Sequence, residues 1–506
     1  MAQIQIKDLT FYYEGSYDLI FDQASFTLDT DWKLGLIGRN GRGKTTLLRL
    51  LLGEYEYTGT IISSVSFDYF PFQVEQKERN TIDIIEEIYP EYELWEVCKE
   101  IGELGVEADV LYRSFQTLSN GEQTKVLLSI LFLKQHNFLL IDEPTNHLDQ
   151  EGRECVANYL NRKKGFILVS HDRTFLDRCI DHVMSINKQG IQIVQGSFTT
   201  WYENKQRQDE YEFQENKKLK KEISRLEEAS KRTEKWSNEI EKTKKGQKNS
   251  GSKVDRGYIG HKSAKMMKRS KVSEFRMEQE IEKKKKLLKN VEDMDTLKIY
   301  PLKHYKNELI RMENATLSYG KKEVISNLSF QIRQGEVTAI EGKNGCGKST
   351  LIEGIRLLAN KRETHNEKQG DELSIDSKTL EIASGLVLSY VPQDTSFLKG
   401  SLDQYIEACK GDPTVFKMLL RKLDFSREHF QKPMESYSAG QKKKVLLAKS
   451  LSEKAHLYIW DEPLNYIDIF SRIQIENLIK ENHLTMLVVE HDKTFLDHLV
   501  TKQIQL

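Results

Sequence analysis

Apolar and polar residues follow the same local order at two places along this chain. The apolar runs KLGLI at 33–37 and VTAIE at 337–341 have the length and composition of buried strands. Each leads through a polar, glycine-rich stretch into a run with helical spacing, TLLRLLL at 46–52 and TLIEGIRLL at 350–358. The order of strand, glycine-rich loop and helix predicts an α/β fold that occurs twice.

The middle of the chain has a different pattern. Its apolar residues recur at mostly helical spacing in two arms separated by four glycines, and no Gly or Pro interrupts 201–245 or 261–300. This pattern predicts an antiparallel helical hairpin. The apolar positions are Phe213, Leu219, Ile223, Leu226, Trp236 and Ile240 in the first arm, and Val272, Phe275, Ile281, Leu288 and Val291 in the second.

Three domains follow from these patterns. We expect an α/β domain at 1–200, the helical hairpin at 201–305 and a second α/β domain at 306–506. The predicted fold class is therefore α/β, with two such domains joined by a long α-helical linker. The polar segment 360–381 has no counterpart in the first half, and we expect a surface insertion there.

Composition narrows the class of protein. The 506 residues are 38% hydrophobic and 30% charged, and no apolar run reaches the ~18 residues of a membrane span. The first residues lack the basic and apolar regions of a signal peptide. Five scattered cysteines form no CxxC pair. We therefore expect a reduced, cytoplasmic protein without structural zinc.

Charge is concentrated at one place. The whole chain has a formal net charge of −1, yet residues 242–271 contain eleven Lys or Arg and a single acid, so this window is +10 and the other residues sum to −11. The window includes the predicted hairpin tip. Basic side chains release counterions from phosphates, and Tyr or His can stack on unpaired bases, so we expect a tip that contacts RNA. The candidate residues are Lys253, Arg256, Tyr258, His261, Lys262, Lys265, Met266, Met267, Lys268 and Arg269.

Two phosphate-binding motifs lie in the context that they require. GRNGRGKT at 38–45 and GKNGCGKS at 342–349 both fit GxxxxGK[ST] between a predicted strand and a predicted helix. The glycines allow a tight loop whose N–H groups hold phosphate at a helix N-terminus. Lys44 and Lys348 would reach the phosphates, and Thr45 and Ser349 would bind Mg²⁺.

Three more motifs recur in the same order. They are LSNGEQ and YSAGQK, FLLIDEPTNHLD and LYIWDEPLNYID, and LVSHD and VVEHD. The spacing from Ser119 to Glu143 and from Ser438 to Glu462 is 24 residues in both copies. Chance does not produce four ordered pairs with matched gaps. Asp142 and Asp461 end apolar strands and would hold Mg²⁺, while Glu143 and Glu462 follow as candidate bases that orient the attacking water.

This order of motifs resembles the ATP-binding cassette (ABC) superfamily, and the resemblance covers both halves. It implies ATP with Mg²⁺ as cofactors, His171 and His491 as γ-phosphate sensors, and two composite sites. Site one would pair Lys44 with Ser438 and Gly440, and site two would pair Lys348 with Ser119 and Gly121. Gln73 and Gln393 match the position near Mg²⁺ and water, and Tyr13 and Tyr319 match the aromatic residue that stacks on adenine. The other ATP-binding candidates are Gly38, Asn40, Gly41, Gly43, Thr46, Gly342, Asn344, Gly345, Gly347 and Thr350.

Tandem cassettes with a helical linker and no membrane segment look like the ABC-F class, whose members act on ribosomes. The tip VDRGYIGHKSAKMMKRSK and the first signature LSNGEQTKVLL are similar to the Lsa, Vga and Vml group of antibiotic-resistance proteins. That resemblance implies a monomer, with its cassettes paired within one chain, that enters the tRNA exit site of the bacterial ribosome. Ribosomal RNA and peptidyl-tRNA would be its partners. Such a protein would relieve the inhibition of the ribosome by lincosamides, streptogramin A and pleuromutilins.

Three alternatives remain open. A housekeeping ABC-F translation factor would run the same cycle without a role in drug resistance. An ATPase subunit of a membrane transporter would need a membrane partner, which we do not expect, and leaves the charged hairpin unexplained. A chromosome-maintenance ATPase fits least, because such proteins place their coils inside one split cassette.

Overall fold

The computed structural model describes most of the chain, and the fold is built from those residues. They are 3–14, 19–134, 137–146, 148–187, 190–243, 268, 272, 275–277, 279–284, 299–320, 322–343, 345–360, 373–409, 411–427 and 429–506. Asn344 and all the candidate tip residues except Lys268 lie outside them.

The first cassette alternates strands and helices. Its strands are β1 (Gln3–Tyr12), β2 (Leu19–Asp29), β3 (Lys33–Ile37), β4 (Thr58–Ile62), β5 (Ser66–Phe70), β6 (Asn137–Asp142), β7 (Phe166–Val169), β8 (His182–Asn187) and β9 (Gly190–Gln195). Its helices are α1 (Lys44–Leu51), α2 (Thr81–Ile88), α3 (Leu94–Glu103), α4 (Asn120–Leu133), α5 (Gln150–Arg162) and α6 (Arg173–Cys179), with short 3-10 turns at Ala108–Tyr112 and Phe115–Thr117.

Two sheets hold this cassette together. Six strands run in the order β5-β6-β7-β3-β8-β9, parallel except for the β8–β9 pair, and β2-β1-β4 form an antiparallel sheet. Leu36 of β3 and Leu47 and Leu48 of α1 are fully buried in a core that both sheets share. Crossovers between parallel strands bring the strand ends to one edge, where the loops of the site begin.

The second cassette repeats this architecture. Its strands are β10 (Glu308–Tyr319), β11 (Lys322–Arg333), β12 (Val337–Glu341), β13 (Leu373–Asp376), β14 (Thr379–Ile382), β15 (Leu388–Val391), β16 (Leu457–Asp461), β17 (Met486–Val489) and β18 (Lys502–Gln505). Its helices are α8 (Lys348–Asn360), α9 (Leu402–Ala408), α10 (Pro413–Lys422), α11 (Ala439–Ser452), α12 (Ile469–Glu481) and α13 (Lys493–Leu499), with 3-10 turns at His429–Gln431 and Met434–Ser436.

The sheets of the second cassette correct one expectation. Five parallel strands run β15-β16-β17-β12-β18, and β11, β13 and β14 all pair with β10. The expectation of a surface insertion at 360–381 is therefore wrong for the second half of that segment. The alternating residues LSID and TLEI pair with β10 as β4 pairs with β1 in the first cassette. Residues 361–372 lie outside the described part of the chain.

A single helix begins the linker. Helix α7 (Phe198–Thr243) is 46 residues long, and residues 279–284 of the second arm are also helical. Lys284 of the second arm forms an ion pair with Glu222 of the first. The contact between residues 62 positions apart brings the two arms together.

The chain divides into two compact units. One contains both cassettes, Met1–Thr199 with Thr296–Leu506, and the other is Thr200–Asp295. Across the ranges given above, every helix is too short or too polar to cross a lipid bilayer.

Candidate functional site

Each phosphate loop joins a central strand to a helix. Lys44 Nζ donates to Gly38 O at 2.7 Å, and Lys348 Nζ donates to Gly342 O at the same distance. Gly43 has a φ of 87°, and a Cβ there would lie 2.5 Å from Ile20 Cγ2, so only glycine suits this turn. Both ammonium groups rest on loop carbonyls, from which each side chain can rotate to phosphate oxygens placed against the loop.

A hydroxyl and a carboxylate meet beside each loop. Thr45 Oγ1 donates to Asp142 Oδ2 at 3.0 Å, and Ser349 Oγ donates to Asp461 Oδ2 at 3.2 Å. Burial raises the pKa of both aspartates. Oxygen ligands of this kind suit Mg²⁺, which keeps several waters and takes one or two protein ligands. These pairs can therefore hold a hydrated Mg²⁺ at the strand ends.

Glu143 lies next to His171, and its Oε1 is buried. Its backbone has a φ of 52°, a left-handed conformation that is uncommon outside glycine. Burial, and then the neighbouring Asp142 carboxylate, raise the pKa of Glu143 to about 8. His171 Nε2 lies 3.3 Å from Glu143 Oε1 without hydrogen-bond alignment, so that oxygen has no hydrogen-bond partner among the described residues. Burial holds the pKa of His171 well below its usual value, with Lys44 adding to the effect.

Glu462 has a different environment. It shares the left-handed backbone, with a φ of 45°, but its Oε2 accepts hydrogen bonds from Gln393 Nε2 at 2.7 Å and Asn465 Nδ2 at 2.8 Å. Burial, and then Lys348, lower the pKa of His491 to about 4, and its Nε2 is buried without a partner in the described structure. The two carboxylates thus start from unlike states, one buried beside a histidine and one held by two amides.

The phosphate loop of the first cassette faces the signature helix of the second. Asn40 Nδ2 donates to Tyr466 O at 3.0 Å. A Cβ on Gly440, in the first turn of α11, would lie 3.0 Å from that same Nδ2 and 2.4 Å from Tyr466 O. Ser438 caps α11 by accepting from Gln441 N at 3.3 Å. Site one is therefore assembled from both cassettes, with glycine required at its closest approach.

Site two has an exposed contact between the cassettes at its rim. Ser119 caps α4 in the same manner as Ser438 caps α11, and Gly121 lies in the first turn of α4. Lys343 Nζ lies 3.6 Å from Glu151 of the first cassette, but both side chains are about four-fifths exposed. An exposed pair of this kind contributes little, about 0–1 kcal/mol.

The remaining predicted residues lie around the two loops. Tyr13, directly after β1, is 40% exposed and shares a 2.7 Å hydrogen bond with Thr46, while Tyr319 ends β10 at 37% exposure. Gln393 reaches Glu462, whereas Gln73 is exposed in the irregular segment after β5. Gly41, Gly345, Gly347 and Thr350 lie within the loops or the first turn of the helix that follows, and Lys268 is exposed in the linker.

Sequence reasoning missed several contacts at these sites. Tyr69 of β5 donates to Asp142 Oδ2 at 3.2 Å. Lys443 Nζ, nearly fully buried, donates to Pro392 O at 2.9 Å and Glu462 O at 3.0 Å. The first cassette has Thr124 at that position, so the difference between AGQKKK and NGEQTK was the available signal.

Asp424 adds a contact at site one that has no counterpart at site two among the described residues. Its carboxylate lies 3.8 Å from Arg39 Nη1 and 3.5 Å from Arg42 Nη2, both in the phosphate loop of the first cassette. The second phosphate loop has Lys343 and Cys346 at the equivalent places. The two arginines therefore tie the first loop to the second cassette.

The two histidine segments also touch across the interface. Thr174 Oγ1 and Thr494 Oγ1, at equivalent positions in HDRTF and HDKTF, lie 2.9 Å apart, which marks a local two-fold axis. Arg153 Nη1 donates to Asp172 Oδ2 at 3.2 Å and to His491 O at 3.3 Å. Arg153 thus joins the segment after His171 to the backbone of the other histidine.

Comparison with known proteins agrees with this architecture. A family model described as ABC transporter matches residues 21–146 and 325–465. The chain is 27% identical over 495 residues to the "Ribosome protection protein VmlR" of Bacillus subtilis, covering 96% of this chain and 83% of the relative. It is 26% identical over 524 residues to the "Energy-dependent translational throttle protein EttA" of Haemophilus influenzae, covering 93% and 86%. A solved complex of an archaeal ribosomal stalk protein with an archaeal ribosome recycling factor is similar in fold, with a TM-score of 0.60 at 19% identity, covering 98% of this chain and 87% of the other.

Proposed function

Because this chain belongs to the ABC transporter family, carries its ATPase domain twice and falls in the ABC-F class, we propose that it is an ATPase that binds the bacterial ribosome and protects it from drugs of the peptidyl transferase centre. The observation that carries the proposal is the pairing of the two cassettes within one chain, with Asn40 of one against Tyr466 and Gly440 of the other. Nucleotide held between two such halves closes them, and hydrolysis lets them separate.

The linker supplies the contact with RNA. Helix α7 is 46 residues long, about 69 Å at 1.5 Å per residue, and leads toward the basic window 242–271. A lever of this length can extend from the tRNA exit site, with its tip residues against ribosomal RNA and peptidyl-tRNA. The names of two relatives, a ribosome protection protein and a translational throttle protein, support a ribosomal partner.

ATP and Mg²⁺ fit the residues at both sites. The phosphate loops have glycine turns with N–H groups at a helix N-terminus, and Thr45 with Asp142 and Ser349 with Asp461 provide the hard oxygen ligands. Mg²⁺ held by these residues would neutralise negative charge on the bound phosphates. Lys44 and Lys348 leave the loop carbonyls to bind the same phosphates, and the adenine stacks on Tyr13 or Tyr319.

The carboxylates then act on the attacking water, and the histidines act on the γ-phosphate. Glu143 and Glu462 orient the attacking water and accept its proton, which requires the ionised carboxylate. His171 and His491, kept neutral by burial, donate one N–H to the γ-phosphate without adding charge. Ser438 with Gly440, and Ser119 with Gly121, complete sites one and two from the opposite cassette.

The raised pKa of Glu143 predicts the pH dependence of site one. In a Glu462→Gln variant only site one turns over, and its rate should fall about tenfold per pH unit below pH 8, because the protonated carboxyl cannot accept the water proton. The rate should level off above pH 8. Single-turnover phosphate release between pH 6 and 9 measures the profile. The Glu143→Gln variant is the control for pH effects common to both sites, and identical profiles would contradict the assignment.

The close approach at Gly440 predicts a steric effect. Gly440→Ala places a methyl group 2.4 Å from Tyr466 O of the same cassette and 3.0 Å from Asn40 Nδ2 of the other, so the contact between the cassettes at site one has to shift. Overpacking costs ~1–3 kcal/mol, and we expect site-one turnover to fall at least about tenfold. The matched control is Gly102→Ala in helix α3, where a Cβ meets nothing within 4 Å. Equal turnover in both variants would show that this contact is not part of the closed site.

The decisive experiment is bacterial cell-free translation inhibited by lincomycin, with and without the purified protein and ATP. Rescue that requires ATP supports target protection. Absence of rescue with ribosome-stimulated ATPase activity supports a translation factor, the second candidate, which the relative named as a translational throttle protein favours. ATP-loaded protein that does not sediment with ribosomes would refute both.

A further inference from the structure

A solvent-open cavity lies between the cassettes, next to the Thr174–Thr494 contact. It is lined from the first cassette by α5 and α6 and from the second by the start of α13. Three cationic side chains line it: Arg153, Arg178 and Lys493. Glu154 and Asp172 are the acidic residues.

The local two-fold axis relates this cavity to a filled position on the other side. There, Glu476 of α12 pairs with Arg173, and His498 Nδ1 lies 3.3 Å from the same carboxylate. Aligning HDRTFLDRC with HDKTFLDHL makes Arg173 equivalent to Lys493 and His498 equivalent to Arg178. The carboxylate contacts one basic side chain from each cassette and is itself almost completely buried.

Ala157 occupies the place of that carboxylate in the cavity. It is equivalent to Glu476, since both lie eight residues after the aspartate that caps the helix, Asp149 or Asp468. The cations are retained, as Lys493 and Arg178, while the anion between them is missing. The methyl group of Ala157 supplies neither the negative charge nor the volume of a carboxylate.

The other charged side chains around the cavity do not replace the missing carboxylate. Arg153 is engaged by Asp172 at 3.2 Å and by His491 O. Glu154 is then the one remaining acid of the lining, facing two cations. Within the described ranges neither Arg178 nor Lys493 has an ion pair at 4 Å or less, so the cavity retains net positive charge.

We propose that this cavity binds a phosphate oxyanion, which stands where Glu476 stands on the opposite side. Arg178 from the first cassette and Lys493 from the second both face it, so the bound anion bridges the cassettes and stabilises their pairing. Inorganic phosphate, the product of the ATPase reaction, and the phosphate group of a nucleotide share this chemistry. Bridging cations with a dianion is favourable because each cation gains a charge-assisted hydrogen bond.

The test measures phosphate binding while both ATP sites are occupied. The intact protein is saturated with Mg²⁺ and a non-hydrolysable ATP analogue, and inorganic phosphate is titrated by calorimetry at constant ionic strength, with AMP in a parallel titration. We expect one phosphate bound per chain in the parent protein. Binding of AMP in place of phosphate would identify a nucleotide as the source of the same group.

Two substitutions locate the site. Ala157→Glu supplies the missing carboxylate from within and should weaken phosphate binding at least about tenfold, whereas the isosteric Ala157→Gln should retain it. Lys493→Gln, at an exposed position that leaves folding intact, should also weaken binding at least about tenfold. Equal affinity in Ala157→Glu and Ala157→Gln, or no binding of phosphate or AMP by the parent, would overturn the proposal.

Discussion

Replacing Glu143 and Glu462 together by Gln should leave ATP binding intact and lower turnover at least about 100-fold. Positioned general bases contribute typically ~10²–10⁴-fold, and Gln keeps the size of the side chain while losing its ability to accept a proton. The phosphate loops and the Thr45–Asp142 pair are untouched by the change. Nucleotide affinity should therefore remain within a few fold of the parent value.

The same variant should lock the cassettes together on the ribosome. Closure depends on bound ATP and opening on its hydrolysis, so a chain that cannot hydrolyse ATP stays closed. We expect it to sediment with ribosomes in ATP and to stall translation in the cell-free system. Steady-state phosphate release and ribosome pelleting measure the two effects. Glu107→Gln, at an exposed position in the first cassette, is the matched control.

Each single variant should lose part of the ATP turnover, and the two losses need not be equal. Glu143 lies beside His171, whereas Glu462 is held by Gln393 and Asn465. Normal turnover in the double variant would show that the bases lie elsewhere. ATP-independent sedimentation of the double variant would contradict the link between nucleotide and ribosome binding.

Lys444→Met should produce the largest loss of stability. Lys444 Nζ donates to Asp468 Oδ2 at 2.9 Å and to Leu423 O at 2.7 Å, and the two charged side chains are 4% and 0% exposed. Removing one partner of a buried ion pair leaves an uncompensated charge, which costs ~3–5 kcal/mol. Urea unfolding followed by tryptophan fluorescence, to which the fully buried Trp460 of the second cassette contributes, measures the effect.

The first cassette provides the control for this substitution. Lys125 is equivalent to Lys444 in the aligned signature helices but is only partly buried, and Lys125→Met should cost much less. Equal destabilisation by the two changes would show that the ion pair is not the cause.

The same pair predicts how stability depends on acid. Burial alone would raise the pKa of Asp468, but Lys444 and the hydrogen bond from Ser471 N hold it well below its usual range. A carboxyl with a lowered pKa stabilises the fold fully above its unfolded value, near pH 4, and loses that contribution as the pH falls further. The Lys444→Met variant should therefore lose less stability between pH 4 and pH 2 than the parent.

Much of the site could be predicted because its chemistry is local in sequence. A phosphate loop needs glycines, a lysine and a hydroxyl within eight residues, and the Asp-Glu pair follows one strand, so Lys44, Asp142 and Glu143 were identifiable by spacing alone. Their predicted roles remain proposals. The α/β fold with two ABC domains and a helical segment between them is confirmed by the family match and the sheet order.

The rest depends on contacts between distant parts of the chain. Tyr69 reaches Asp142 only because β5 lies beside β6, and Asp424 meets Arg42 only because the cassettes face each other. No local pattern marks such residues. Strands β13 and β14 were missed for a related reason, since four alternating residues are too few to mark a strand and each strand is defined by its partner β10.

The interface between the cassettes is not symmetric, which has a consequence for how the two halves recognise each other. In a symmetric dimer of identical subunits the same surface is used twice, so each interface residue has to fit its partner on both sides of the two-fold axis. Thr174 and Thr494 still meet that requirement, because the same residue type stands on both sides of the axis. The neighbouring positions do not: Arg173 pairs with Glu476 on one side, whereas Lys493 and Ala157 occupy the equivalent positions on the other. Two copies of the first cassette would set Arg173 against Ala157 twice and form no such ion pair. Two cassettes on one chain do not need to be self-complementary, so each half can carry a surface that fits its covalent companion in preference to a copy of itself.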